Sequence, residues 1–148
     1  MNRLFCCAAL LVTGAGLLAA DGAPSKDEAA IRSQLAGYFK AREAGPGHAQ
    51  ALFYTEDADE WGSGAMEMTV GRAALEKTLD QKPDPNRHLT MDPMHFTFIG
   101  KDVALVDAIY GTAANPRFGH AMYIMVKHDG KWLIRSARIT RFPVKDGK

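Results

Sequence analysis

The stretch His120–Phe142, HAMYIMVKHDGKWLIRSARITRF, decides the fold. Asp129-Gly130 stands between two runs rich in Ile, Val, Met, Leu, Tyr and Trp. Asp-Gly in that setting is a strong hairpin signal. By strict alternation the first run carries Met122, Ile124 and Val126 on one face, with Tyr123, Met125 and Lys127 on the other. The second carries Trp132, Ile134, Ser136 and Arg138 on one face, with Leu133, Arg135, Ala137 and Ile139 on the other. Neither run has a cleanly polar face, which predicts strands covered on both sides. The interspersed arginines then need partners. The expectation is a hairpin that floors a small domain and lines a pocket.

Working upstream, Val103 to Thr112 reads as a strand, and so does His88 to Ile99. Pro93 interrupts the latter and demands an edge or a bulge. The spacing predicts a helix over residues 71–79, ahead of a loop containing Pro83 and Pro85. Before it, Asp57 to Trp61 and Met66 to Val70 read as two strands joined at Gly62-Ser63-Gly64, and Ala49 to Phe53 as a short helix. Ser25 and Glu28 form a capping box that opens a helix running to about Ala44. Ile31, Leu35, Tyr38, Phe39 and Arg42 share one of its faces. Gly45-Pro46-Gly47 ends it. Helices first and an antiparallel run last is an α+β pattern. One domain over residues 25–142 is expected, with 143–148 as a tail.

The chain has 148 residues, 24% charged and 47% hydrophobic, so the composition is globular. The formal charge is +1 with no basic block, which argues against nucleic acid as a partner. Arg3 followed by the uncharged run Leu4–Ala20 has the layout of a secretory signal peptide, with cleavage expected after Ala20. The alternative is an uncleaved anchor helix. Cleavage would predict an exported, periplasmic or secreted protein without a stable membrane anchor. It would also remove Cys6 and Cys7, the only cysteines, leaving neither a disulfide nor a thiol ligand.

Several pieces together resemble a known family: the D-A-D-E-W strand (57–61), GRAALEKTL (71–79), KDVALVDA (101–108) and DGKWLI (129–134). They are similar to the SnoaL-like branch of the nuclear transport factor 2-like superfamily, in particular its secreted SgcJ/EcaC-type bacterial members. The resemblance spans roughly Lys26 to Arg141. It implies a cone-shaped α+β barrel in which a curved, mainly antiparallel six-stranded sheet wraps three helices around a cavity. It also implies a homodimer through the outer sheet face. Functions on this fold range from ketosteroid isomerases and polyketide cyclases to binding proteins, so the fold alone does not assign one.

The isomerases of this fold use a tyrosine, a carboxylate base and a protonated carboxylic acid. Carried over by the resemblance, the tyrosine falls on Tyr38, the base position on Gly62 and the acid position on Ile124. Two of the three groups are absent, so classical isomerase activity is not expected. The remaining candidates are Asp107, which the resemblance turns toward the cavity, and His120 as a base beside it. A carboxylate in the apolar run VALVDAIYG needs a partner, either Arg135 or Arg138. The plain reading is an ion pair that closes the cone; the functional one is a ligand anchor. Tyr38 reads equally as core packing. Trp61, Met94, Tyr110, Met122 and Ile124 are expected to line an apolar, adaptable wall. Such a cavity suits a hydrophobic small molecule with one polar anchor. The sequence carries no metal-ligand spacing, phosphate loop or dinucleotide fingerprint, so no cofactor is expected. The expected function is small-molecule binding, with a cofactor-free isomerase, cyclase or lyase acting on a carbonyl compound as the alternative.

Overall fold

The computed structural model describes residues 25–84, 88–112 and 114–143. The expected leader and the end of the tail lie outside them. Three helices come from the first half of the chain: α1 (Lys26–Ala44), α2 (Gly47–Ala51) and α3 (Arg72–Leu79). Six strands, β1 (Tyr54–Trp61), β2 (Thr69–Val70), β3 (Leu89–Ile99), β4 (Val103–Thr112), β5 (Gly119–His128) and β6 (Lys131–Arg141), form one open sheet in the order β2-β1-β6-β5-β4-β3. All neighbours are antiparallel except β1 and β6, which run parallel. The α+β class, the three helices and the mixed six-stranded sheet match expectation.

At the start of α1 the Ser25 half of the expected capping box forms and the Glu28 carboxylate turns to Arg32 instead, while the glycine stop at the other end holds. Ser25 Oγ accepts the Glu28 N–H at 3.1 Å, while the Glu28 carboxylate pairs with Arg32 at 3.0 Å. Gly45 ends the helix at φ 103°, a conformation glycine adopts without steric cost. Helix α2 starts earlier than expected, at Gly47, and seats its first turn against α3. A Cβ on Gly47 would lie 1.8 Å from the Glu76 carbonyl oxygen. The buried Gln50 Nε2 donates to the carbonyls of Gly45 and Leu79, each at 2.9 Å, and ties α2 to the ends of α1 and α3.

The inner sheet face packs on these helices. Ile31, Leu35 and Tyr38 of α1 and Leu75 and Leu79 of α3 form one core with Ala104, Val106, Ala108, Ala121, Tyr123, Met125, Trp132, Ile134 and Ala137. Small residues on the strands leave room for bulky ones on α1, as dense packing requires. Pro93 produces the expected irregularity, a register shift between Met91 and Met94. In the second strand position, only Thr69 and Val70 pair, rather than the whole of Met66 to Val70.

The β5–β6 hairpin turns at Asp129 (φ 49°) and Gly130 (φ 78°), the geometry that Asp-Gly favours. It departs from simple alternation at one place. Ile124 pairs with Ser136 and Met125 with Ile134, so Arg135 is an extra residue, a β-bulge. The bulge resets the phase of β6. Trp132, Ile134 and Ala137 are buried on the inner face, whereas Arg135 and Arg138 both reach carboxylates of β1.

Candidate functional site

The inner face leaves a cavity of about 380 Å³ between the helices and the ends of the strands that carry Glu60, Tyr110 and Ile139. Phe39, Leu79, Leu89, Tyr110, Phe118 and Ile139 give it apolar walls; Arg42, Glu60 and Tyr123 are its polar lining from the core side. The Gly62–Ala65 turn forms part of the rim. Trp61 Nε1 fixes that turn by donating to the Ala65 carbonyl at 2.9 Å.

The floor is held by a directional hydrogen-bond chain. Tyr54 Oη donates its only proton to Glu60 Oε2. Tyr38 Oη, 2.8 Å from Tyr54 Oη, must therefore donate to it. Arg42 Nη1 in turn donates to Tyr38 Oη at 3.2 Å. Arg42, Tyr38, Tyr54 and Glu60 thus form one line from α1 to the end of β1. Burial pushes the Tyr38 hydroxyl up to about 12, and it lifts Tyr54 and Tyr123 well above the ordinary tyrosine range. These tyrosines therefore remain neutral donors near neutral pH. Tyr123 is 2% exposed, and its hydroxyl makes no hydrogen bond among the described residues. It is a donor at the cavity with no partner among the described residues. Glu60, 7% exposed, is a carboxylate at the same cavity. An acceptor and a donor of this kind can bind a carbonyl or hydroxyl group, or move a proton next to a carbonyl.

The residues singled out from sequence divide into three groups. Tyr110 lines the cavity, and Tyr38 lies fully buried in the chain that supports it. Trp61 is half exposed and braces the rim, while Met94 borders a separate depression with Phe39 and Met91. Asp107, His120, Met122, Ile124, Arg135 and Arg138 are not cavity residues. Asp107 alternates with the buried Val106 and Ala108, so its side chain takes the opposite, outer face of β4. Its register partner Met122 and the neighbouring Ile124 alternate with buried Ala121, Tyr123 and Met125 on β5 and lie outside for the same reason. His120 does meet Asp107, Nε2 to Oδ1 at 3.2 Å, on that outer face.

The arginines do not pair with Asp107. Asp59 receives Arg135 Nη1 at 2.9 Å, Arg138 Nη1 at 2.5 Å and Ser136 Oγ at 2.8 Å. Asp57 receives Arg135 Nε at 3.2 Å. The choice between Arg135 and Arg138 dissolves, because the bulge lets both reach the same carboxylate. Sequence reasoning missed Glu60, Tyr54 and Tyr123 as site residues. The available signals were the parity of Glu60 with Ala58, of Tyr123 with Met125, and the presence of Arg42 on the apolar face of α1.

No family model matches the sequence, and no curated protein does. Solved structures do match. An NTF2-like protein of unknown function from Methylobacillus flagellatus KT is 20% identical at a TM-score of 0.63, over 82% of this chain and 96% of that one. An NTF2-like protein with a cystatin-like fold from Novosphingobium aromaticivorans is 18% identical at 0.62, over 82% of this chain and 84% of that one. A protein from Catenulispora acidiphila, solved in complex with S-DNPA, is 15% identical at 0.62, over 76% and 91% of the two chains. The fold is therefore that of the NTF2-like proteins, the α+β cone that the resemblance implied.

Proposed function

We propose that this chain is an exported small-molecule-binding domain whose cavity takes an apolar molecule bearing a carbonyl or hydroxyl group. The observation that carries the reading is the pairing of apolar walls with a polar floor at which Tyr123 has a hydroxyl to donate and Glu60 a carboxylate to accept. A preformed apolar cavity with few polar groups is the common form of a ligand site. Complex formation by the Catenulispora neighbour supports the use of this scaffold to hold a compound. Export rests on the leader-like run Leu4–Ala20. Thermal shift with a panel of apolar carbonyl compounds, 2-tetralone among them, tests the reading. Stabilisation that is weakened in Tyr123→Phe supports it; no stabilisation by any member, carboxylate-bearing members included, removes it.

A second reading follows from Glu60 itself. As a base it would take the α-proton of a bound carbonyl compound. The C–H bond breaks, the proton passes to the carboxylate, and Tyr123 Oη donates to the enolate oxygen. The isomerase-type alternative thus moves from Asp107 and His120 to Glu60 and Tyr123. Exchange of 2-tetralone α-hydrogens in D₂O, faster than buffer with the protein and at buffer rate with Glu60→Gln, would identify catalysis. Exchange at buffer rate with both would leave binding alone.

The same reading assigns the outer sheet face to a second copy of the chain. Ile99 (62% exposed) and Ile124 (36%) stand there with Val103, Leu105 and Met122. Asp57 and Asp59 flank that face together with Arg135 and Arg138, so the flank carries both signs of charge that a self-complementary contact uses.

A further inference from the structure

We infer that the ligand of the cavity is a monoanion: an apolar body carrying one carboxylate, which Arg141 receives at the mouth. This rests on the small-molecule-binding reading above and specifies its ligand class. Among the described residues three charged side chains line the cavity, Arg42, Glu60 and Arg141. Two of them offset each other. Arg42 and Glu60 carry opposite charges and terminate the same Tyr38–Tyr54 chain. Arg141 has no such counterpart. It forms no ion pair among the described residues, in contrast to Arg135 and Arg138 on the same strand. Among the described lining residues Arg141 is thus the one charge without an opposite charge paired to it.

Arg141 is positioned, not merely exposed. Its guanidinium stands 5.0 Å above the Phe118 ring, and Phe118 packs edge-on against Tyr110 at 5.7 Å. Backbone bonds fix this rim: Phe118 N–H to the Tyr110 carbonyl (2.9 Å) and Phe142 N–H to the Phe118 carbonyl (3.0 Å). Gly119 permits the close fit, since a Cβ there would lie 2.2 Å from the Thr140 carbonyl oxygen and 2.4 Å from the Tyr110 ring. A guanidinium whose planar fork is held in this way suits a carboxylate. A dianionic phosphate would exceed the single charge available. Apolar Leu89, Tyr110 and Ile139 share the lining with Arg141 and with the floor residues, so the ligand body is hydrophobic.

Fluorescence titration with 6-hydroxy-2-naphthoate and its neutral isostere 6-hydroxy-2-naphthamide tests the inference. The acid is expected to bind the unaltered chain at least tenfold tighter than the amide. Arg141→Gln is expected to narrow that gap to less than twofold by weakening the acid, and Arg141→Lys to retain part of it. Equal affinities in the unaltered chain, or a gap that survives in Arg141→Gln, overturns the monoanion while leaving the binding reading intact. Binding of neither probe, together with no stabilisation by the carbonyl panel, overturns both.

Discussion

Arg138 Nη1 lies 2.5 Å from Asp59 Oδ1, across the seam where β1 runs parallel to β6. The other oxygen of the same carboxylate takes Arg135, so one side chain of β1 holds two arginines of β6. Burial alone would raise the Asp59 carboxyl, but hydrogen bonds from Arg138, Ser136 and Arg135 outweigh it and hold the group below its ordinary range. A carboxyl depressed in the folded state stabilises the fold above its unfolded pKa, about 4. That stabilisation is lost as pH falls through the lower folded value. Asp59→Ala should therefore cost about 1–2 kcal/mol at pH 7 in urea unfolding, less than a fully buried pair because both arginines keep contact with water. The difference between variant and parent should shrink below about pH 4. An equal difference at pH 7 and pH 3 would contradict the assignment.

Tyr54→Phe cuts the hydrogen-bond chain at its centre. It leaves Tyr38 Oη without its acceptor and Glu60 without its donor, both in the buried floor. The expected loss is about 2 kcal/mol, from a buried polar pair left unsatisfied. Equilibrium denaturation measures it, and an unchanged midpoint would show that the chain contributes nothing to stability.

Gly47→Ala should prevent the close packing of α2 on α3, because the added methyl carbon would meet backbone rather than a movable side chain. Overpacking of this kind typically costs about 1–3 kcal/mol or more. The same backbone N–H also donates to Asp80 Oδ1 at 2.9 Å, so displacement sacrifices a hydrogen bond as well. Thermal unfolding by circular dichroism should show a midpoint lower by several degrees; an unchanged one would mean that the helices shift freely.

Ile124→Lys places a charge at the centre of the outer sheet face without touching the inner one. In sedimentation equilibrium the parent is expected to be dimeric and the variant monomeric, with the secondary structure preserved. A monomeric parent would remove the second copy from that face.

Much of this architecture was legible because local chemistry specified it. Ser25, Gly45 and Asp129-Gly130 each carry the conformational preference that the structure uses at that point. The site was less legible, and the reasons are particular. An alternating pattern gives two faces but not which one turns inward, and Asp107 was assigned through analogy to the wrong one. The bulge at Arg135 changes the phase of β6 without a proline or glycine to mark it. Glu60 looked like an ordinary strand-end carboxylate, since its partner Tyr54 also lies on β1 but six residues earlier, across the irregular part of that strand. Asp59 lies 79 residues from Arg138, a separation over which sequence offers many possible partners.

The parallel β1–β6 seam also sets an order of assembly. β6 is the last strand in the chain, yet it lies inside the sheet between β5 and β1. Until it is in place, β1 can pair only with the two-residue β2, and no strand pairing links the wall carrying Glu60 to the wall carrying Tyr123. Hairpins β3–β4 and β4–β5 are local and can form first, whereas the seam requires a long loop to close. The cavity therefore comes into being with the final strand, and a chain shortened before Trp132 would retain its helices' sequence but have no pocket to offer.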